Sequence, residues 1–302
     1  MKYPKKCPLC FAKQKTPQIV SSRIYGDKKR KRAFFLCKNC DVRYLFPQLT
    51  QREEKLFYQK EFESFMDKRE GKPSGWLNAE KHIKLNKVTF KRRLKYIKPY
   101  LSAHDRILEI GCSSGFMLYP FLKKGNDCVG IEPSGVFRDY VKKREIKVYD
   151  SLKKLIYKEK KNFNLIFHFF VLEHVSNPIK FLKDQFLVLQ NRGKIIFEIP
   201  NVADPLHSVY NIPAFENFYW SIHHHWYFSE QSLKFLLKKV GKPYKIMFDQ
   251  RYDLSNHLFW LSEGKPGGMG YFKKILGSNT ESNYKKSLIK SRKCDTLVGI
   301  IG

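Results

Sequence analysis

From residue 105 onward, short apolar runs alternate with stretches whose apolar positions recur every three or four residues. The runs at 106–110, 127–131, 146–149, 164–169 and 194–199 are too short for helices and suit buried strands. Between the last two, Asn177-Pro178 opens a helix whose Ile179, Leu182, Phe186 and Leu189 share a face, and Asn191 with Gly193 closes it. Ser229 caps another helix through Leu233, Leu236 and Val240, with Gly241 just past its end. Residues 245–251 and 295–301 read as two late strands, separated by a Gly/Ser/Lys-rich excursion at 262–293. This alternation predicts an α/β fold with helices on both faces of a largely parallel sheet.

The first hundred residues follow a different pattern. Residues 1–49 read as a small separate module, with strand-like Ala33–Leu36 and Tyr44–Pro47. Residues 50–104 read as a strongly polar helical connector, in which Gln51–Phe65 carries Leu56, Phe57 and Phe62 among charges and Gly71–Gly75 around Pro73 is a break. From Ala79 to Pro99 a helix presents Ile83, Phe90, Leu94 and Ile97 on one face. It is expected to pack on the sheet and roof a ligand. Residues 105–302 form the main domain, with an aromatic insertion at 204–226.

Four of the seven cysteines form two Cys-x-x-Cys pairs, Cys7/Cys10 and Cys37/Cys40. An odd total argues against a disulfide framework, and paired knuckles of this kind suit a tetrahedral, closed, structural Zn²⁺ site. Four thiolates leave a net negative centre that Lys5, Lys6 and Lys38 can offset.

The strongest chemical signal is Ile107-Leu108-Glu109-Ile110-Gly111-Cys112-Ser113-Ser114-Gly115, a strand that ends in a glycine turn and opens a helix. The glycines let backbone approach a ligand closely, and the helix start offers unpaired N–H groups. About 20 residues further on, Glu132 ends the next apolar run, where an acid can accept both ribose hydroxyls of a nucleoside. A dinucleotide is disfavoured. The third glycine of its turn is missing, Ser113 stands at the middle one, and Glu109 suits a cationic ligand better than a pyrophosphate.

These residues resemble the first motif of class I S-adenosylmethionine-dependent methyltransferases. The resemblance implies a Rossmann-like seven-stranded sheet preceded by a zinc-ribbon-like module. It implies that the cofactor is held by Glu109, Gly111, Ser113, Gly115, Glu132, Pro133 and Asp150, with Phe169 and Leu172 beside it. For Asp150, capping of the next helix is an equal reading. Leu172-Glu173-His174-Val175 resembles the family's post-strand motif, and His224 with Phe228-Ser229 matches the His-x-x-x-Phe-Ser that the family shows before the next helix. Glu173, His174 and His224 are therefore the candidate catalytic residues, with a backbone-bonded structural histidine as the alternative for His174 and a helix-entry bond as that for His224. A second metal at His223–His225 is disfavoured, because adjacent side chains on a short loop diverge.

The excess of 58 basic over 28 acidic residues gives a net charge of +30, a field that attracts polyanions. Lys far outnumbers Arg, however, as AT-rich coding would produce, so composition is favoured over nucleic-acid recognition. No apolar run is long enough to span a membrane, and the N-terminus lacks an apolar segment after its charges, so the cytoplasm is the default location. The whole pattern resembles bacterial methyltransferases of sugars, nucleotide-sugars and surface-polysaccharide precursors, which implies a small-molecule or glycan acceptor. The alternatives are a ribosomal- or transfer-RNA methyltransferase that uses Lys28–Arg32 on phosphate, and a non-catalytic zinc-ribbon protein. Intact Glu109, Gly111, Gly115 and Glu132 argue against the last.

Overall fold

The computed structural model describes residues 2–70, 76–160 and 162–302, so the break expected at Gly71–Gly75 lies outside the described residues. The strands along the chain are β1 (Gln18–Ser21), β2 (Ala33–Leu36), β3 (Arg43–Phe46), β4 (Arg106–Ile110), β5 (Asp127–Ile131) and β6 (Lys147–Tyr149). They continue as β7 (Phe163–Phe169), β8 (Leu189–Pro200), β9 (Trp226–Tyr227), β10 (Tyr244–Asp249) and β11 (Thr296–Ile301).

Seven of them form one sheet in the order β10-β11-β8-β7-β4-β5-β6. The pairs β4–β5, β5–β6, β4–β7 and β7–β8 are parallel, and β11 runs antiparallel between β8 and β10. The chain winds one way from β4 through β5 to β6 and then returns to β7 on the other side. Ligands of open α/β sheets sit beyond the carboxyl ends of strands at such a reversal. The central strands read as continuous apolar runs because both faces are covered. Ile107, Leu108, Leu165, Ile166, Ile195, Ile196 and Phe197 are all fully buried.

Gly299 of β11 lies opposite Phe197 of β8, and a Cβ built on Gly299 would fall 2.1 Å from that ring. Gly299→Ala is expected to cost about 3 kcal/mol by overpacking, read as a lower urea midpoint with an unchanged slope. An unchanged midpoint would mean that the Phe197 ring has room to move.

Two elements depart from the periodic pattern. The helix after β7 ends at Gln185, and Leu189, expected on its face, instead begins β8 opposite Phe163. Pairing with β7 satisfies backbone groups that another helical turn would have left the sheet without. Within 262–293, Lys273–Lys290 is helical with a kink at Gly277, despite a run of weak helix formers at Gly277-Ser278-Asn279-Thr280. Glu281 anchors this helix, because its buried carboxylate accepts from the backbone N–H groups of Leu254 and Ser255.

The connector caps the sheet. A helix from Gln51 to Glu70, started by a Thr50–Glu53 capping box, contains a π-helical turn at Phe57–Glu61. The amphipathic stretch after Ala79 is two helices, Ala79–Leu85 and Lys87–Ile97, separated at Asn86. Ile83, Phe90, Leu94 and Ile97 pack with Ile107, Phe121 and Phe167, as their spacing predicts.

The second sheet has the order β1-β2-β3-β9. Its last strand, Trp226–Tyr227, comes from far along the chain, immediately after the histidine triplet. The N-terminal segment is thus continuous with the 204–226 insertion. Phe34 and Leu45 share one apolar cluster with Phe215, Tyr219, Trp220 and Tyr227.

Candidate active site

The turn after β4 brings the cofactor-motif residues together. Gly111 and Gly115 have φ of 75° and 72°, in the left-handed region that glycine adopts without strain. A Cβ on Gly111 would also meet Val171 Cγ2 at 2.8 Å, which ties this turn to the segment after β7. Ser113 has φ of 42°, so the motif's middle glycine is replaced by a residue that still holds the same unusual backbone.

Glu132, at the end of β5, turns back onto this loop. Its Oε2 accepts from Ser113 N at 2.7 Å and its Oε1 from Ser134 N at 2.9 Å. A carboxylate has about four acceptor sites, so two remain for ligand hydroxyls. Burial pushes its pKa up to about 7, against the pull of the two N–H donors. Glu109 is 3% exposed, its Oε2 has no hydrogen bond among the described residues, and burial holds its pKa well above the usual range. An orphaned buried acid beside a glycine turn fits the ammonium of S-adenosylmethionine. Pro133 continues the loop from Glu132, and its carbonyl accepts from Arg138 Nη1. Asp150, beyond β6, is engaged by Ser151 Oγ and by Lys154 Nζ, whose hydrogen bond lowers its pKa. Phe169 ends β7 under the Arg93 guanidinium, 4.2 Å from its ring centre, and Leu172 is fully buried.

The connector supplies residues that no motif announced. Ser134 Oγ hydrogen-bonds Glu63, and His82 Nδ1 meets Ser114 Oγ at 2.8 Å. Trp76 lies against both His82 and Phe137. Tyr58, on the π-helical turn, is held well above its ordinary pKa by burial and then by Glu173, Glu54 and Glu132. Its ring lies 6.2 Å from that of His174, edge to face, against the segment after β7. The aromatic density of 57–65 was the only sequence signal for this group. Below the roof, Glu198 bridges Arg92, at 2.7 and 2.8 Å, and Arg93, at 3.0 Å. Burial raises the Glu198 carboxyl, but the two guanidinium groups more than offset this and hold it below its usual value.

Glu173, His174 and His224 converge although His224 is distant in sequence. The His174 and His224 rings are 4.6 Å apart, edge to face. His174 Nδ1 is 2.9 Å from the His223 carbonyl, and Nε2 is 3.9 Å from Glu173 Oε1. Burial raises Glu173 to about 8 and lowers His174 to about 3, and it also holds His224 well below its usual value. The neighbouring histidines diverge: the His223 ring stacks on Phe57, and His225 Nε2 lies 2.7 Å from Glu54.

The family model described as a methyltransferase domain matches residues 82–241, more than half of the chain. The chain belongs to this methyltransferase family. The methyltransferase sheet also superposes on an S-adenosylmethionine-dependent methyltransferase from Archaeoglobus fulgidus, with a TM-score of 0.52 at 17% identity, over 80% of this chain and 99% of the other. That likeness establishes the fold. The ubiquinone biosynthesis O-methyltransferase of Pelagibacter ubique (strain HTCC1062) is 30% identical over 93 residues, which are 29% of this chain and 39% of that protein. This methyltransferase therefore matches well under half of that relative's length.

The four cysteines of the methyltransferase's N-terminal segment also cluster. All are free thiols, with Cys7 and Cys40 sulfurs 3.9 Å apart and Cys10 and Cys37 sulfurs 3.5 Å apart. A tetrahedron of Zn–S bonds of about 2.3 Å has S···S edges of about 3.8 Å. Leu9 N donates to Cys7 Sγ, Asn39 Nδ2 to Cys10 Sγ and Gln14 Nε2 to Cys37 Sγ, donors that stabilise thiolates. The donor set fits a structural zinc ion. No helix of the described residues is long and apolar enough to cross a membrane.

Proposed function

We propose that this chain transfers a methyl group from S-adenosylmethionine to a hydroxyl-bearing small molecule, with sugars and nucleotide-sugars the first class to test. The observation that carries this is the convergence of Glu173, His174 and His224 at the segment after β7, which meets the glycine turn through Val171. Bound S-adenosylmethionine supplies a methyl on a sulfonium leaving group. An amine acceptor needs no help with a proton, but a hydroxyl does, and a water-poor site with three convergent polar groups provides it. Glu109, Glu132 and the Gly111–Gly115 backbone hold and orient the cofactor. The connector, through Tyr58, Glu63 and His82, closes over it and excludes water. Cys7, Cys10, Cys37 and Cys40 hold a structural Zn²⁺. The O-methyltransferase name of the Pelagibacter relative agrees with an oxygen acceptor.

The support for sugars comes from the resemblance of the whole chain to bacterial glycan methyltransferases, since the aromatic insertion lends little. Phe215, Tyr219 and Trp220 are buried against Phe34 and one another, Phe218 lies under Arg69, and Tyr210 hydrogen-bonds Tyr284. Their faces are used for packing. The RNA reading has one observation in its favour, the contiguous exposed Lys28–Lys31.

The test offers radiolabelled S-adenosylmethionine with nucleotide-sugars in one set and unmodified RNA in another. Label is expected on a sugar fraction. Label on RNA alone would overturn the proposal. His224→Ala is expected to lower kcat by about 10²- to 10⁴-fold with cofactor affinity unchanged. An unchanged kcat would reduce His224 to a structural role.

A further inference from the structure

Glu173, His174 and His224 converge more closely than their role in handling a proton requires. One carboxylate oxygen and one ring nitrogen from each histidine all lie within 4.8 Å of one another. Glu173 is 1% exposed, and neither of its oxygens has a hydrogen bond among the described residues. His224 is 8% exposed, and its Nδ1 is likewise without one. His174 makes the outer bond that ligating histidines make: Nδ1–H to a backbone carbonyl, which leaves Nε2 as a lone pair facing Glu173. A buried carboxylate with no donor is costly, and a cation among these atoms removes the cost.

We propose that Glu173, His174 and His224 bind one divalent cation, and that its open positions take the oxygen of the methyl acceptor. Two imidazoles and one carboxylate suit Mn²⁺, Fe²⁺, Co²⁺ or Zn²⁺, whereas Mg²⁺ and Ca²⁺ favour all-oxygen shells. Of the histidine triplet, His223 is stacked on Phe57 and His225 faces Glu54, so the middle histidine alone turns to this cluster. The purpose of the site rests on the methyl-transfer reading; its existence does not. A hydroxyl on the cation has a lowered pKa, so the acceptor gives up its proton to bulk water as it enters and binds as the alkoxide. Its oxygen then forms the C–O bond, the C–S bond breaks, and sulfur keeps the electron pair. The cation is neither oxidised nor reduced.

The probe is Mn²⁺, which competes poorly for the four thiolates, added to the full chain with its cysteine cluster already loaded with zinc. The free Mn²⁺ resonance is followed by electron paramagnetic resonance. One Mn²⁺ is expected to bind per chain, about tenfold or more weakly in Glu173→Gln and in His224→Asn, with zinc content and far-ultraviolet circular dichroism retained. Should the variants fail to fold, selective broadening of the His174 and His224 ring resonances in the unaltered chain gives the same answer. Mn²⁺ that stays free at millimolar concentration, or binds the variants as well as the parent, overturns the proposal. Calorimetry with S-adenosylmethionine separates the two claims. Cofactor binding without Mn²⁺ binding sinks the cation site alone, whereas Mn²⁺ binding without cofactor binding sinks the methyl-transfer reading alone.

Discussion

Glu132→Ala is expected to weaken S-adenosylmethionine binding by about 10²- to 10⁴-fold. The carboxylate sits at the end of β5, holds Ser113 N and Ser134 N, and keeps two acceptor sites for the ribose hydroxyls. Losing two charge-assisted hydrogen bonds at about 1.5–3 kcal/mol each accounts for that range. The change also releases the Ser113 amide, so the loop that faces the cofactor loses its brace. Titration calorimetry checks it, and affinity within a few-fold of the parent would remove Glu132 from the site. The same carboxyl makes binding pH-dependent. Burial raises its pKa to about 7, so the free protein carries it protonated below that value. The ionised form is the acceptor, so apparent affinity should rise about tenfold per pH unit up to 7 and then level off. In Glu132→Gln that slope should vanish. Stability of the ligand-free chain moves the other way. It falls as pH rises from the ordinary carboxyl value of 4.5 to about 7, because the unfolded chain sheds this proton first.

Cys37→Ser is expected to abolish methyl transfer by about 100-fold or more while leaving cofactor binding in place. Binding energy at a structural zinc site is folding energy, so losing one thiolate loosens the whole N-terminal segment. That segment holds the histidine triplet. Arg43 and Tyr44 of β3 pair with Tyr227 and Trp226 of β9, and Leu45 N donates to the His225 carbonyl at 2.9 Å. Tyr25 brackets the other side, donating to Trp220 O and accepting from Ile222 N. A shift of about 1 Å in His224 is enough for a hundredfold loss. Glu109, Gly111 and Glu132 stand on the other sheet and are untouched. Zinc analysis, near-ultraviolet circular dichroism from Trp220 and Trp226, and calorimetry separate the effects. Full turnover by metal-free protein would show that the cysteine cluster does not support the lid.

Much of the candidate site could be read from local sequence because local backbone chemistry creates it. The glycine turn needs positive φ, so Gly111 and Gly115 announce themselves, and an acid at the end of an apolar run, as at Glu132, can only emerge at the carboxyl edge of the sheet. The two Cys-x-x-Cys pairs are similar, since each knuckle sets its own sulfur geometry and only their meeting needs the fold. The connector was opaque for the opposite reason. Nothing local to Tyr58, Glu63 or His82 says that a roof brings them to His174, Ser134 and Ser114. The aromatic insertion was only half legible, because hydrophobicity reports that Tyr219 and Trp220 want burial but not what buries them. Phe34 and Leu45, from a strand far away in sequence, fill that role.

By itself the sequence determined the α/β alternation, the glycine turn with its two nearby acids, and the pairing of thiols, all consequences of periodicity, glycine freedom and ligand spacing over a few residues. Only the tertiary structure decided that His224 meets Glu173 and His174, that the N-terminal sheet is completed by Trp226–Tyr227, and that Leu189 begins a strand. Those depend on which distant backbone or side chain offers a partner, and the free energy of such a contact is written in no single stretch of chain.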